Sequence, residues 1–135
     1  NYWGIFLRDK DTIIGNTMVV YEKEDNIEYL LLVSVYIDDK YRGRKLCKAL
    51  VEQTIIKNEM RNKTNLIKVV IAGGMPILQC LLSVFKELNY TIKKYKTKDE
   101  NIQILQNILP KTAIKIEQSN YESDIWQTLF FDKND

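Results

Sequence analysis

An apolar strand, a helix and a second apolar strand, which together span Ile27–Ala72, constrain the fold of this chain more than any other feature. Residues Ile27–Ile37 are almost continuously Leu, Val and Ile, a composition that predicts a strand buried on both faces. Apolar residues then recur at helical spacing and predict a helix from about Arg44 to Glu59. Leu66–Ala72 (LIKVVIA) is predicted to be another buried strand. Because such crossovers are right-handed and join parallel strands, we expect the two strands to be parallel.

The segments on either side of this unit predict further strands and helices. Trp3–Arg8 and Thr12–Tyr21 are rich in β-forming residues and are joined by a polar turn, Asp9–Asp11, so they predict a hairpin. A second helix is predicted to begin near Pro76 and to be capped by Asn89, which tolerates a left-handed conformation. The other predicted elements are a strand over Tyr90–Thr97, a short helix over Ile102–Leu109, and strands over Ala113–Glu117 and Ile125–Phe131.

Length and composition indicate one domain over residues 1–135 and exclude several kinds of site. The chain has no histidine, which excludes imidazole bases, Ser-His-Asp triads and His-ligated metal centres, and no metal site is expected. Its two cysteines, Cys47 and Cys80, fall on predicted helices and are expected to be reduced core thiols, which favours an intracellular, cytoplasmic protein. The net charge of +2 disfavours nucleic acid as a partner, and no apolar run is long enough to span a bilayer.

The turn between the first buried strand and its helix has the pattern of an anion-binding site. The strand ends at Ile37, and the residues DDKYRGRK lead directly into the helix. A helix start presents unpaired backbone N–H groups and the positive end of a dipole, and Gly43 lets the backbone approach a phosphate without a Cβ in the way. The basic residues around the turn are Lys40, Arg42, Arg44, Lys45 and Lys48. The alternative is a solvated basic surface, because basic side chains at a helix start oppose the dipole.

The turn and the order of the elements resemble the GNAT acetyltransferase superfamily. The family's turn has the pattern Arg/Gln-x-x-Gly-x-Gly/Ala, and the matching positions here are Lys40, Gly43 and Lys45. The family's common wording V-x-P-x-Y-R-G-x-G is echoed by IDDKYRGRK, with Ile37 at the valine position.

Two further motifs extend the resemblance along the chain. The family's I-V-G in its hairpin matches Ile13–Gly15, and the Y-E-K-L-G-F ending of its second helix is echoed by Phe85–Tyr90. The resemblance covers Trp3–Tyr90 and, more loosely, the final strand with Trp126.

The resemblance implies an α/β (α+β) fold, with a mixed, mostly antiparallel sheet, a central strand–helix–strand crossover and helices on both faces. It implies a single domain that is N-terminally incomplete, because the strand and two helices that open the family's fold are expected to be missing before Asn1. The implied activity is acetyl-CoA-dependent transfer of an acetyl group to an amine of a small molecule, peptide or protein, by direct attack in a ternary complex. A homodimer through the final strands is compatible with the resemblance.

The resemblance also implies where coenzyme A is held. Backbone N–H groups of Tyr41–Leu46 would bind its pyrophosphate, and the pantetheine arm would lie in the gap between the strand ending near Ile37 and Leu66–Ala72. A free N–H late in the first strand would hold the thioester oxygen as charge develops on it. The cofactor-binding residues implied are Val35, Tyr36, Ile37, Lys40, Tyr41, Arg42, Gly43, Arg44, Lys45 and Leu46.

Two residues of the first buried strand are candidates for proton transfer. Because a free amine is mostly protonated near neutral pH, a base or a water chain must first take a proton from it. Glu28 lies at the start of the strand, where family members sometimes carry a carboxylate base, and Tyr36 lies further along, near the expected thioester. A solvated charge at the strand end is the alternative for Glu28.

Three positions depart from the family's pattern. Lys45 replaces a small residue beside the phosphates, Phe85 stands where the family often has the Tyr that protonates the leaving thiolate, and Leu78 replaces a common Asn. Phe85 and Leu78 also fit the buried stripe of a helix. These departures leave a catalytically weak or inactive GNAT-fold module, which binds acyl-CoA or a partner, as the alternative function. A domain with a basic surface that binds nucleic acid or another polyanion without a cofactor is a third hypothesis.

Overall fold

The computed structural model describes residues 2–72, 75–97, 115–118 and 126–134, which form a mixed sheet with two α-helices packed on it. The helices are α1 (Leu46–Arg61) and α2 (Met75–Glu87), and a 3₁₀ turn over Asp39–Tyr41 precedes α1. The strands are β1 (Tyr2–Trp3), β2 (Phe6–Asp9), β3 (Thr12–Glu24), β4 (Ile27–Ile37), β5 (Leu66–Ala72), β6 (Tyr90–Thr97), β7 (Lys115–Gln118) and β8 (Trp126–Lys133).

The strand order in the sheet is β1-β3-β4-β5-β8-β6-β7, and β2 also pairs with β3. β4 and β5 are parallel, as the crossover predicts, and β6 and β7 are also parallel. The other pairings among the described strands are antiparallel. The predicted mixed, mostly antiparallel sheet with a central strand–helix–strand crossover is therefore confirmed.

Both described helices lie on one face of the sheet and share a single core with it. Leu30 of β4 and Ile67 of β5 are fully buried in this core, together with Ile55 of α1 and Leu81 of α2. Other side chains of β4 remain exposed, among them Val33 (43%) and Tyr36 (49%). The prediction that this strand is buried on both faces is therefore wrong, because a continuous apolar run does not reveal which of its two faces has a partner.

Two element boundaries differ from the prediction for local backbone reasons. The first predicted strand is divided into β1 and β2 at Gly4, which lies so close to β3 that a Cβ would be 1.9 Å from the carbonyl oxygen of Thr17. The helix predicted from Arg44 begins at Leu46 instead, because Lys45 takes a left-handed φ of 61°.

The later elements agree with the prediction where the structure describes them. β6 has the predicted bounds, and Asn89 has the left-handed conformation (φ 68°) expected of a cap. The predicted helix over Ile102–Leu109 lies outside the described residues. Helices were predicted on both faces of the sheet, whereas the two described helices, α1 and α2, pack on the same face. Within the described part of the chain, neither helix has the length and apolar character needed to cross a bilayer.

Candidate functional site

A β-bulge in β4 marks one end of the candidate site. Leu32 and Ser34 pair with consecutive residues of β3, so Val33 between them is an extra residue. A bulge shifts the alternation of side chains along its strand. Leu32 packs in the core before the bulge and Val35 packs against it afterwards, three residues on rather than two. The bulge therefore re-aims every side chain in the last part of β4.

β4 and β5 separate just beyond this bulge. Among the described residues they pair only over Leu30–Leu32 and Ile67–Val69, although β4 continues to Ile37 and β5 to Ala72. The edge of β4 that faces β5 therefore keeps backbone polar groups without a strand partner in this part of the structure. The gap lies at the carboxyl ends of two parallel strands, where open α/β sheets bind their ligands.

A cavity of about 470 Å³ opens beside this gap. Its walls come from the end of β4, the turn, the start of α1 and one residue of α2, and its volume is within the usual range for small-molecule sites. The lining residues are Val35, Tyr36, Ile37, Tyr41, Arg42, Gly43, Lys45, Leu46, Cys47 and Ile77. The structure thus brings together eight of the ten residues predicted to bind a cofactor, and it places Lys40 and Arg44 outside the lining.

Hydrogen bonds hold the turn in a defined shape. The backbone N–H of Tyr41 donates to the carbonyl oxygen of Asp38 (2.9 Å). The Nε of Arg42 donates to the carbonyl oxygen of Ile37 (3.1 Å), and the same guanidinium pairs with Asp39 at 2.8 Å. Arg42 therefore clamps the turn to the end of β4, and part of its charge is offset by a carboxylate.

The side chain of Tyr41 ties the turn to the neighbouring hairpin. Its hydroxyl donates a hydrogen bond to Asp9, the last residue of β2, and this bond raises the pKa of Tyr41. The guanidinium of Arg44 lies 5.2 Å from the centre of the Tyr41 ring, at cation–π distance. Arg44 is thus held against the aromatic ring, which accounts for its place outside the cavity lining.

The start of α1 presents backbone donors at the cavity wall. Within the described residues, Lys45 makes no side-chain capping bond, and Gly43 (φ 79°) has open space where a Cβ would lie. The first N–H groups of a helix have no partner inside the helix. The uncapped donors, the positive end of the helix dipole and the ammonium group of Lys45 together favour an anion at this position.

The two predicted catalytic residues lie at opposite ends of β4. Tyr36 lines the cavity with an exposed hydroxyl-bearing ring. Glu28 lies five residues before Val33, which places it roughly 17 Å along the strand from the bulge. There the Thr64 hydroxyl donates to the carbonyl oxygen of Glu28 (2.9 Å). A general base must come within hydrogen-bonding reach of its proton or act through water. Glu28 is absent from the cavity lining, so a role for it in the cavity requires a chain of water molecules.

Sequence reasoning missed two lining residues, Cys47 and Ile77. Cys47 was predicted to be a core thiol and Ile77 falls in the apolar stripe of the second predicted helix, yet each lies in the first turn of its helix. A topological signal was available, because α1 and α2 follow two parallel strands and must therefore begin at the same end of the sheet. First-turn residues of both helices are thus expected beside a ligand site at that end.

Phe85 and Leu78 lie in the core rather than at the cavity. Each is 1% exposed, and Phe85 stacks on Phe131 with ring centroids 3.9 Å apart and planes 10° apart. The interpretation of both residues as core is confirmed.

Several solved structures resemble this chain over nearly its whole length. A chain of the NatC complex bound to a Gag peptide and CoA superposes with a TM-score of 0.61 at 12% identity, covering 98% of this chain and 71% of that one. A GNAT-family acetyltransferase from Streptococcus pneumoniae gives 0.60 at 10% identity, covering 98% and 67%. A Bacillus subtilis acetyltransferase in complex with CoA gives 0.55 at 13% identity, covering 94% and 73%.

Comparison of the sequence itself finds no relative, because no protein-family model and no curated protein matches the chain. The likeness is therefore one of architecture, at 10–13% identity in the three structures described. The mixed sheet with a β4–α1–β5 crossover agrees with the resemblance found in the sequence. The fold of this chain is that of the GNAT acetyltransferases.

Proposed function

We propose that the protein is an acetyl-CoA-dependent N-acetyltransferase that acts on an amine of a small molecule, peptide or protein. The observation that carries this proposal is the cavity. It joins the start of α1 to the edge of β4 beyond Leu32, and among the described residues the first has no side-chain cap and the second no strand partner. The helix start offers donors to phosphates, and the strand edge offers backbone partners to the amides of an extended chain. Coenzyme A carries both chemical groups, and proteins of this fold crystallised with CoA support the same ligand.

The residues at the start of α1 fit a pyrophosphate. Gly43 has no atom of the described residues within 4 Å of an ideal Cβ position, so a ligand can approach its backbone. Lys45 lines the cavity, and its ammonium group therefore adds an attractive charge at the position where the family has a small residue. We assign the phosphates to the backbone donors of Tyr41–Leu46 and to this ammonium group.

The end of β4 fits the acyl-bearing arm. Bound acetyl-CoA supplies the acetyl group as an activated thioester. A backbone N–H on the edge of β4 beyond Leu32 is assigned to the carbonyl oxygen, where it stabilises negative charge in the transition state. Tyr36 supplies a hydroxyl at the cavity, and we assign it a place in the proton path from the attacking amine to solvent.

Acetyl-CoA at about one hundred times its dissociation constant is expected to raise the unfolding midpoint by roughly 10 °C. Ligand at this excess adds about 2.7 kcal/mol to the free energy of unfolding, and for a domain of this size that increase raises the unfolding midpoint by roughly 10 °C. Differential scanning fluorimetry with acetyl-CoA measures the shift, and adenosine is the control that lacks the phosphates. An unchanged midpoint at millimolar acetyl-CoA would exclude the cofactor site.

A Tyr36→Phe variant is expected to lower kcat about tenfold or more, whereas Glu28→Gln leaves the rate and its pH profile unchanged. General acid–base catalysis contributes about 10²–10⁴-fold, and of these two residues Tyr36 is the one that lines the cavity. Steady-state rates with a panel of peptide amines across pH 6–9 separate the two variants. A large loss of rate in Glu28→Gln, together with a displaced basic limb of the pH–rate profile, would show that the Glu28 carboxylate acts as the base through a chain of water molecules.

The alternative is a module of the same fold that binds acyl-CoA without turnover. The observation that favours it is the burial of Phe85 and Leu78, which leaves no side-chain acid at these positions of α2 to protonate a leaving thiolate. Release of free CoA in the presence of peptide amines, measured with a thiol reagent, distinguishes the two functions. Binding without any release of CoA supports the module.

A further inference from the structure

Two cysteines from different helices meet beside the cavity. Cys47 is the second residue of α1 and lines the cavity, and Cys80 lies in the middle of α2. Both are free and half-buried, and their sulfur atoms lie 2.6 Å apart. A disulfide bond is about 2.05 Å long, so only a small shift separates this contact from a covalent link. They are the two cysteines of the whole chain, so neither has a competing partner within it.

The two thiols have unequal reactivity. The thiol of Cys80 donates a hydrogen bond to Cys47, and this bond lowers the pKa of Cys47. The position of Cys47 in the first turn of α1 favours a thiolate in the same direction. The same hydrogen bond, together with burial, raises the pKa of Cys80. Cys47 is thus suited to attack an oxidant that enters the cavity, and Cys80 is suited to resolve the product.

We propose that Cys47 and Cys80 form a reversible dithiol–disulfide switch that locks the first turn of α1 to α2 at the cavity wall. The oxidant is a small-molecule disulfide. The thiolate of Cys47 attacks one of its sulfur atoms and releases one thiolate, which leaves a mixed disulfide on Cys47. Cys80 then loses its proton to solvent and attacks the sulfur of Cys47, which releases the second thiolate. The protein gives up two electrons and two protons, and the oxidant is reduced to two thiols.

The disulfide would act at the start of α1, the part of the cavity wall that has no side-chain cap among the described residues. In the described residues, α1 begins from a left-handed residue, Lys45, that makes no side-chain capping bond. Ile77, one helical turn before Cys80, lines the same cavity, so the disulfide joins two walls of one site. Lys48 and Glu87 already form an ion pair between the two helices at 2.5 Å, which holds them at a spacing compatible with the bond. Oxidation therefore fixes the donors at the start of α1 without a change of fold.

The test compares the wild-type protein after treatment with dithiothreitol and with oxidised glutathione. The oxidised protein is expected to be lighter by two hydrogen atoms, with no free thiol and with Cys47 and Cys80 peptides linked. We expect its unfolding midpoint to rise by about 5–10 °C, because the bond constrains the unfolded chain. We also expect slower hydrogen exchange at Leu46–Ala49, and dithiothreitol should reverse every change.

The matched controls are Cys47→Ser and Cys80→Ser, each of which keeps one thiol. Cys80→Ser, which keeps the reactive Cys47, is expected to take up one glutathione, whereas Cys47→Ser is expected to react much more slowly. Neither variant is expected to show a rise in the unfolding midpoint. Two glutathiones bound per wild-type chain, or an internal bond that leaves the midpoint and exchange unchanged, would overturn the switch. These readouts need no cofactor, so a failed switch leaves the acetyltransferase proposal standing. Equally, failure of the reduced protein to bind acetyl-CoA overturns that proposal and not the switch.

Discussion

A Gly43→Val variant is expected to lose most of its affinity for coenzyme A while it remains folded. Gly43 has φ 79°, a conformation that a β-branched residue adopts only with strain. Open space surrounds its ideal Cβ position in the described residues, so the new side chain projects towards the ligand rather than into the core. The valine thus obstructs the backbone donors of the turn and shifts the backbone that carries them.

The loss follows from the value of the hydrogen bonds involved. A hydrogen bond to a charged group contributes about 1.5–3 kcal/mol, so losing one or two weakens binding by about 10- to 100-fold or more. Isothermal titration calorimetry with CoA measures the change. Ala49→Val is the matched control, because Ala49 is an exposed residue of α1 outside the cavity lining. We expect the affinity of this variant for CoA to stay within twofold of that of the wild-type protein. Wild-type affinity in Gly43→Val would exclude this turn as the phosphate site.

A Phe85→Ala variant is expected to lower the free energy of unfolding by about 3–5 kcal/mol. Phe85 is 1% exposed, stacks on Phe131 and meets the ring of Tyr90 edge-on with centroids 5.3 Å apart. Truncation removes these aromatic contacts and leaves a cavity where α2 packs on β6 and β8. Because a domain has only about 5–15 kcal/mol of stability, this single change removes a large share of it.

Urea unfolding followed by circular dichroism measures the effect of Phe85→Ala. Phe6→Ala is the matched control, because Phe6 is 51% exposed and its loss should cost about 1 kcal/mol or less. Equal losses in the two variants would contradict the packing described for α2. Phe85→Tyr provides a second check, since a hydroxyl buried at this position lowers stability and does not supply an acid to the cavity.

The central crossover and the turn were predictable because their signals are local. The bounds of β4 and β5 follow from two mostly apolar runs, and their parallel pairing follows from the helix between them. The turn follows from Gly43 and its basic neighbours at the point where strand periodicity changes to helical periodicity. The predicted start of α1 was two residues early, because helical spacing gives no warning of the left-handed Lys45.

By itself, the sequence determined the crossover, the turn where the candidate site is predicted and the residue types available for chemistry, because each depends on neighbours in the chain. Only the tertiary structure decided which side chains meet. The bulge at Val33 lies in an apolar run without a glycine to mark it, and it arises from the register of β4 against β3. Non-local packing also brings Cys47 against Cys80, 33 residues away, because the spacing of the two helices is set by the sheet beneath them.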